Sequence, residues 1–137
     1  MKTLFLDTNI ILDLLGERHP FYESAAKLAT LADKKNLIMV VSPISFATVS
    51  YILSKFESAE IVKEKLRKFK IISEISKIDG DIIEKGLNSK FTDFEDALQY
   101  FSAIVSECDI LITRNGKDFK ASVIPVMSAE EYLKSIV

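Results

Sequence analysis

Asp7 ends the apolar run Thr3-Leu4-Phe5-Leu6, and Asp93 and Asp96 share the segment Asp93-Phe94-Glu95-Asp96. A carboxylate directly after a buried strand has few structural uses, because desolvating a charge is costly. On a helix, Asp93 and Asp96 stand about 60° apart on the flank of the apolar face, beside Tyr100. From there both can point along a sheet edge, while Glu95, Gln99, Ser102 and Ser106 look toward water. If Asp7, Asp93 and Asp96 converge, their repulsion calls for a divalent cation, and an oxygen-only ligand set selects Mg²⁺ or Mn²⁺ over zinc. Such an ion activates water and stabilises charge on a phosphodiester oxygen. The chain has one cysteine, Cys108, and one histidine, His19. That excludes a thiolate metal cluster, a His-rich zinc site and Ser-His-Asp catalysis, leaving metal-assisted hydrolysis as the natural chemistry. The structural alternative for the helical pair is that Asp93 caps the helix and Asp96 complements its dipole.

These acids need elements to carry them. Thr3 to Leu6, Leu37 to Val41 and Asp109 to Thr113 read as strands buried on both faces, Val123 to Val126 as a weaker one, and Lys70 to Ser73 as a possible one. Helical spacing marks Asn9 to Leu15, capped by Thr8 and ended by Gly16, and Phe21 to Lys34, with Pro20 as its first residue. Further helices open at Ser42-Pro43, Ser58, Asp79 and Asp93. Ser128 caps the last, with Glu131 as its capping-box partner. Strands alternating with helices predict a three-layer α/β/α sandwich around a mostly parallel sheet. In such sheets ligands bind beyond the carboxyl ends of the strands. Asp7 and the segment Thr113-Arg114-Asn115 would then share one edge.

With 137 residues, about half of them apolar, the chain reads as a single domain over residues 1–137. Eighteen basic against 20 acidic residues give a net charge of -2, so no global field draws it to nucleic acid. No apolar run reaches membrane-span length, and the first residues are too briefly apolar for a signal peptide, so the expected location is the cytoplasm.

Three segments in order resemble the PIN-domain family: Phe5-Leu6-Asp7-Thr8-Asn9 with the apolar residues that follow, Asp93 to Tyr100, and Ile110 to Phe119. The resemblance covers nearly the whole chain. It implies a Rossmann-like fold, Mg²⁺- or Mn²⁺-dependent ribonuclease activity on RNA, and often the toxin role of a bacterial toxin–antitoxin pair of the VapC type, with an antitoxin partner and a homodimer. By motif match, Asp7 and Asp96 are the catalytic, metal-binding acids and Asp93 an accessory metal acid. Thr113 and Asn115 line the site. Two positions depart from the family. Thr48 stands where a glutamate is usual, with no acid between Asn36 and Lys55, and Asn115 stands where an aspartate is usual. Asp118 substitutes only if its loop turns it inward.

Around this set, Asn9 is placed to bond Asp7 or substrate, and Arg114 to contact phosphate through its planar fork. Asp13 and the basic run from Lys63 to Lys70 read as solvated faces, His19 as shaping a helix start, and Cys108 as a buried small hydrophobe. The competing reading is a catalytically weak PIN-like module that binds RNA or a protein. A haloacid-dehalogenase-like phosphatase ranks below both, because Asn9 stands where that chemistry wants a second aspartate.

Overall fold

The computed structural model describes residues 1–137. Five parallel strands form one sheet: β1 (Thr3–Leu6), β2 (Ile38–Val41), β3 (Glu74–Ile75), β4 (Ile110–Ile112) and β5 (Val126–Met127). Their spatial order is β3-β2-β1-β4-β5. Seven α-helices connect them: α1 (Thr8–Leu15), α2 (Tyr22–Asp33), α3 (Pro43–Leu53), α4 (Ala59–Ile71), α5 (Gly80–Leu87), α6 (Phe94–Val105) and α7 (Ala129–Ser135). A 3₁₀ turn spans Gly116–Phe119. No helix is long and apolar enough to cross a membrane.

The two-residue period of a strand sends alternate side chains to opposite faces. Leu4, Leu6, Met39, Val41, Ile110 and Ile112 pack under α1, α2, α3, α4 and α7. Phe5, Val40 and Leu111 pack against Tyr100 and Ala103 of α6 and against Phe119. The three central strands are therefore buried on both sides, and the three layers match expectation. The chain runs outward from β1 in both directions, so the strand order reverses beside β1. The gap beyond the carboxyl ends of β1 and β4 is the crevice that an open α/β sheet offers a ligand.

Several boundaries differ from the sequence reading. Lys70 and Ile71 finish α4, and the edge strand follows at Glu74–Ile75. The last strand sits at Val126–Met127 rather than upstream of it. Pro20 lies in a turn after a cis peptide bond, and α2 begins at Tyr22. The residue capping α1 is Asp7 itself, with Thr8 as the first helical residue. The predicted capping box of α7 is present in full, Ser128 and Glu131 each accepting from the other's backbone N–H.

The largest difference concerns α6. Gln99 and Ser102 are fully buried, while Phe94 and Val105 are partly exposed, at 45% and 37%. The helix packs its polar flank inward, and hydrogen bonds make that burial tolerable. Ser102 Oγ donates to Ser76 Oγ at 2.5 Å and contacts the Lys77 carbonyl at 2.7 Å. Gln99 reaches α1 and α3. Its Nε2 donates to Thr8 Oγ1 at 3.0 Å and to Ser45 Oγ at 2.8 Å, and its Oε1 accepts from Ser42 Oγ. Gln99→Leu keeps the volume but strips these hydroxyls of their shared partner. A loss of about 2 kcal/mol is expected in urea denaturation, and an unchanged midpoint would show that the network does not hold the layers.

Candidate active site

Backbone pairing of β1 and β4 sets Asp7 beside Thr113: Asp7 N–H donates to the Ile112 carbonyl at 2.9 Å. Thr113 Oγ1 then donates to Asp7 Oδ2 at 2.8 Å, and the Thr8 N–H donates to Asp7 Oδ1 at 2.8 Å. Thr113 Oγ1 in turn accepts from the Asn115 N–H at 3.0 Å, which draws the loop after β4 toward the same point. Asp7 is only 8% exposed. Burial pushes its carboxyl above the usual range, with the charges of Asp118 and Asp93 adding to the effect and the two hydrogen bonds opposing it.

Opposite stands the first turn of α6. Asp93 is its N-cap, accepting from the Asp96 N–H at 3.0 Å, so the capping reading of that residue holds beside any other role. Asp96 is pushed up to about 7, first by burial and then by the charges of Asp93, Asp7, Asp118 and Glu95. Asp7, Asn9, Thr48, Asp93, Asp96 and Asn115 line one shallow cleft of about 250 Å³. Glu95 lines it too, while staying exposed as the helical wheel predicts. Its carboxyl is also raised, by burial and by the charges of Asp93 and Asp7. Asp118 is exposed on the 3₁₀ turn outside this lining, yet near enough to act on Asp7 and Asp96.

Arg114 is elsewhere. Its Nε and Nη2 donate to the Asp13 carboxylate at 2.8 and 3.1 Å, and its guanidinium lies 4.0 Å from the centroid of the Phe21 ring. Asp13, expected in solvent, is 1% exposed and also paired with Arg18 at 3.4 Å. A short polar residue opposite the apolar stripe of α1 gave no hint that loop 113–115 would fold over it. Gln99 had a readable signal. Asp93, Asp96, Gln99 and Ser102 recur every three residues, a polar row that starts at the acids and winds around the helix.

The donor set is made of oxygens: carboxylates, the Asn115 amide and the Asn9 side-chain oxygen, which is buried and accepts no hydrogen bond. No three acidic, histidine or cysteine side chains stand close enough to enclose an ion by themselves. Such an open oxygen set fits a hard cation that keeps several of its waters, and not zinc. The raised acids carry a further consequence for the metal-free protein. Asp96 titrates near 3.8 when unfolded and about 7 when folded, so between those values the folded state binds more protons. The contribution of this group to stability is then fully present at low pH and is lost as pH rises through 7. Solvent screening at this half-open rim reduces the effect to about 1–2 kcal/mol. Urea midpoints in chelator at pH 5 and pH 8 measure it, and Asp96→Asn should flatten the difference.

A family model described as PIN domain matches residues 3–117. Among solved structures, the VapBC2 complex of Rickettsia felis bound to a promoter DNA fragment aligns with a TM-score of 0.68 at 24% identity, covering 92% of this chain and 97% of that one. A toxin–antitoxin complex from Klebsiella pneumoniae aligns with a TM-score of 0.67 at 24% identity over the same shares. VapC20 of Mycobacterium tuberculosis, a toxin that cleaves the sarcin-ricin loop, aligns with a TM-score of 0.67 at 12% identity, covering 86% of this chain and 94% of that one. No curated protein sequence gives a significant match.

Proposed function

The chain belongs to the PIN-domain family, and from that premise we propose that it is a metal-dependent ribonuclease of the VapC type, the toxin of a toxin–antitoxin pair. The observation that carries this reading is the pair Asp7 and Asp96, two acids with raised pKa on different elements, lining one cleft at the sheet's switch point. Burying like charges together is unfavourable unless a cation or a reaction uses them. The similar folds of two toxin–antitoxin complexes and of an RNA-cleaving toxin support it.

In this reading Asp7 and Asp96 hold Mg²⁺ or Mn²⁺, assisted by Asp93 and by the free oxygen of Asn9. When bound, the ion supplies Lewis-acid activation of water and stabilises charge on the phosphodiester. Thr113 fixes the Asp7 carboxylate by hydrogen bonding, and Thr48 and Asn115 shape the wall facing substrate. Asp118 adds negative charge at the rim. Arg114, committed to Asp13, contributes through the loop it anchors more than through direct phosphate contact. The exposed Tyr51, Phe56 and Ile61 around α3 and α4 support a surface for a homodimer or an antitoxin. We assign the protein to the cytoplasm, with its RNA substrate.

The test is incubation with a panel of single-stranded RNAs in Mg²⁺, in Mn²⁺ and in chelator. Cleavage that requires metal is expected. With the fold intact, no cleavage at high protein and metal concentrations would leave the second reading, a PIN-like module that binds RNA or protein without cutting. Thr48 and Asn115, standing where acids are usual in the family, motivate that alternative.

A further inference from the structure

A second cavity, of about 320 Å³, borders the loop that follows β4. Phe21 and Ser24 at the start of α2, Arg114 and Asn115 in the loop, and Glu130 on α7 line it. Asn115 also lines the acid cleft, so the two spaces adjoin at that residue. The volume is at the lower end of the range for small-ligand sites.

The chemistry of the walls narrows the occupant. Arg114 is present, but its charge is matched by the Asp13 carboxylate through a two-point contact. Glu130 adds a negative charge. A phosphate would meet repulsion without a free cation to bind it. An uncharged planar group meets better partners: the Phe21 ring, 43% exposed and held against the Arg114 guanidinium, and a polar edge from Ser24, Asn115 and Glu130. Unpaired RNA bases are recognised in this way, by stacking on aromatic or guanidinium planes and by hydrogen bonds to their edges.

We propose that this cavity is a nucleobase subsite, seating one unpaired base beside the phosphodiester that lies over Asp7 and Asp96. The assignment rests on the ribonuclease reading for its substrate. Asp13 acts here as a positioning residue, since it holds Arg114 against Phe21.

The experiment uses the full chain and a short oligoribonucleotide that it cleaves, with an abasic residue moved through each position around the scissile phosphate. At one position the abasic residue should raise KM roughly tenfold, with kcat within about twofold. Phe21→Ala should raise KM on the intact oligonucleotide by a similar factor, and the abasic residue should then cost nothing more. Phe21→Tyr, which keeps the ring, should preserve the wild-type KM. Unchanged KM in Phe21→Ala, or losses that multiply, would overturn the subsite. So would a Phe21→Ala variant that binds RNA normally but loses a co-encoded protein partner, which would give the cavity to a peptide. If the chain binds RNA without cutting it, the ribonuclease reading fails. The same comparison, made by fluorescence anisotropy, then decides the subsite alone.

Discussion

Asp7→Asn should lower kcat/KM for RNA by at least about 100-fold, or roughly 3 kcal/mol of transition-state stabilisation, while leaving the protein no less stable. The substitution is isosteric. One side-chain oxygen can still cap α1 through the Thr8 N–H, and the Thr113 hydroxyl can turn to accept from the new amide. What is lost is the charge. Because burial raises the Asp7 pKa, its ionised form costs stability at neutral pH. Removing that charge should raise the urea midpoint in chelator or leave it unchanged. Activity and stability therefore move in opposite directions, which a general disruption of the fold could not produce. Asp96→Asn should behave alike. Cleavage within about threefold of wild type in both variants would remove these acids from the mechanism.

Asp13→Ala carries the largest expected effect on stability, a loss of about 3–4 kcal/mol. The carboxylate is shut away from water and answers the Arg114 fork, with Arg18 adding a longer contact. Its removal leaves the partly buried guanidinium without a counter-charge. For a chain of this length the melting temperature should fall by more than about 10 °C. Replacing both partners, as Asp13→Leu with Arg114→Met, should recover much of the loss, since an apolar pair needs no compensation. A single-variant loss below about 1 kcal/mol would mean that solvent already screens the pair.

The contrast between Asp7 and Asp13 shows what kind of information the sequence carried. Asp7 was legible because an apolar run before it declared a central strand, and a strand end is a fixed place in a parallel sheet. The layers followed from the same runs, and Ser58 and Ser128 marked their helices through side chains that bond only a few residues away. Asp13 bonds Arg114, 101 residues distant, and the partners of Gln99 lie 54 to 91 residues away. A helical wheel weighs only the apolar face, so it sent both toward water. Glu95 is exposed as the wheel had it, but that it also borders the cleft was not legible, because Thr48 and Ile52 of the same lining come from another helix. The edge strands were displaced by a few residues, since two-residue strands are set by their neighbours' backbone and not by their own side-chain pattern.

Those short edges have a consequence for assembly. β3 and β5 each offer only two residues of ladder at the margins of the sheet. An extended peptide gains little by adding a strand there, because β-augmentation depends on a row of free backbone groups. A second copy or a protein partner must therefore be read by side chains on the helical layers. Any inhibitor that imitates such a partner should be built as a helix or a side-chain anchor, not as a strand.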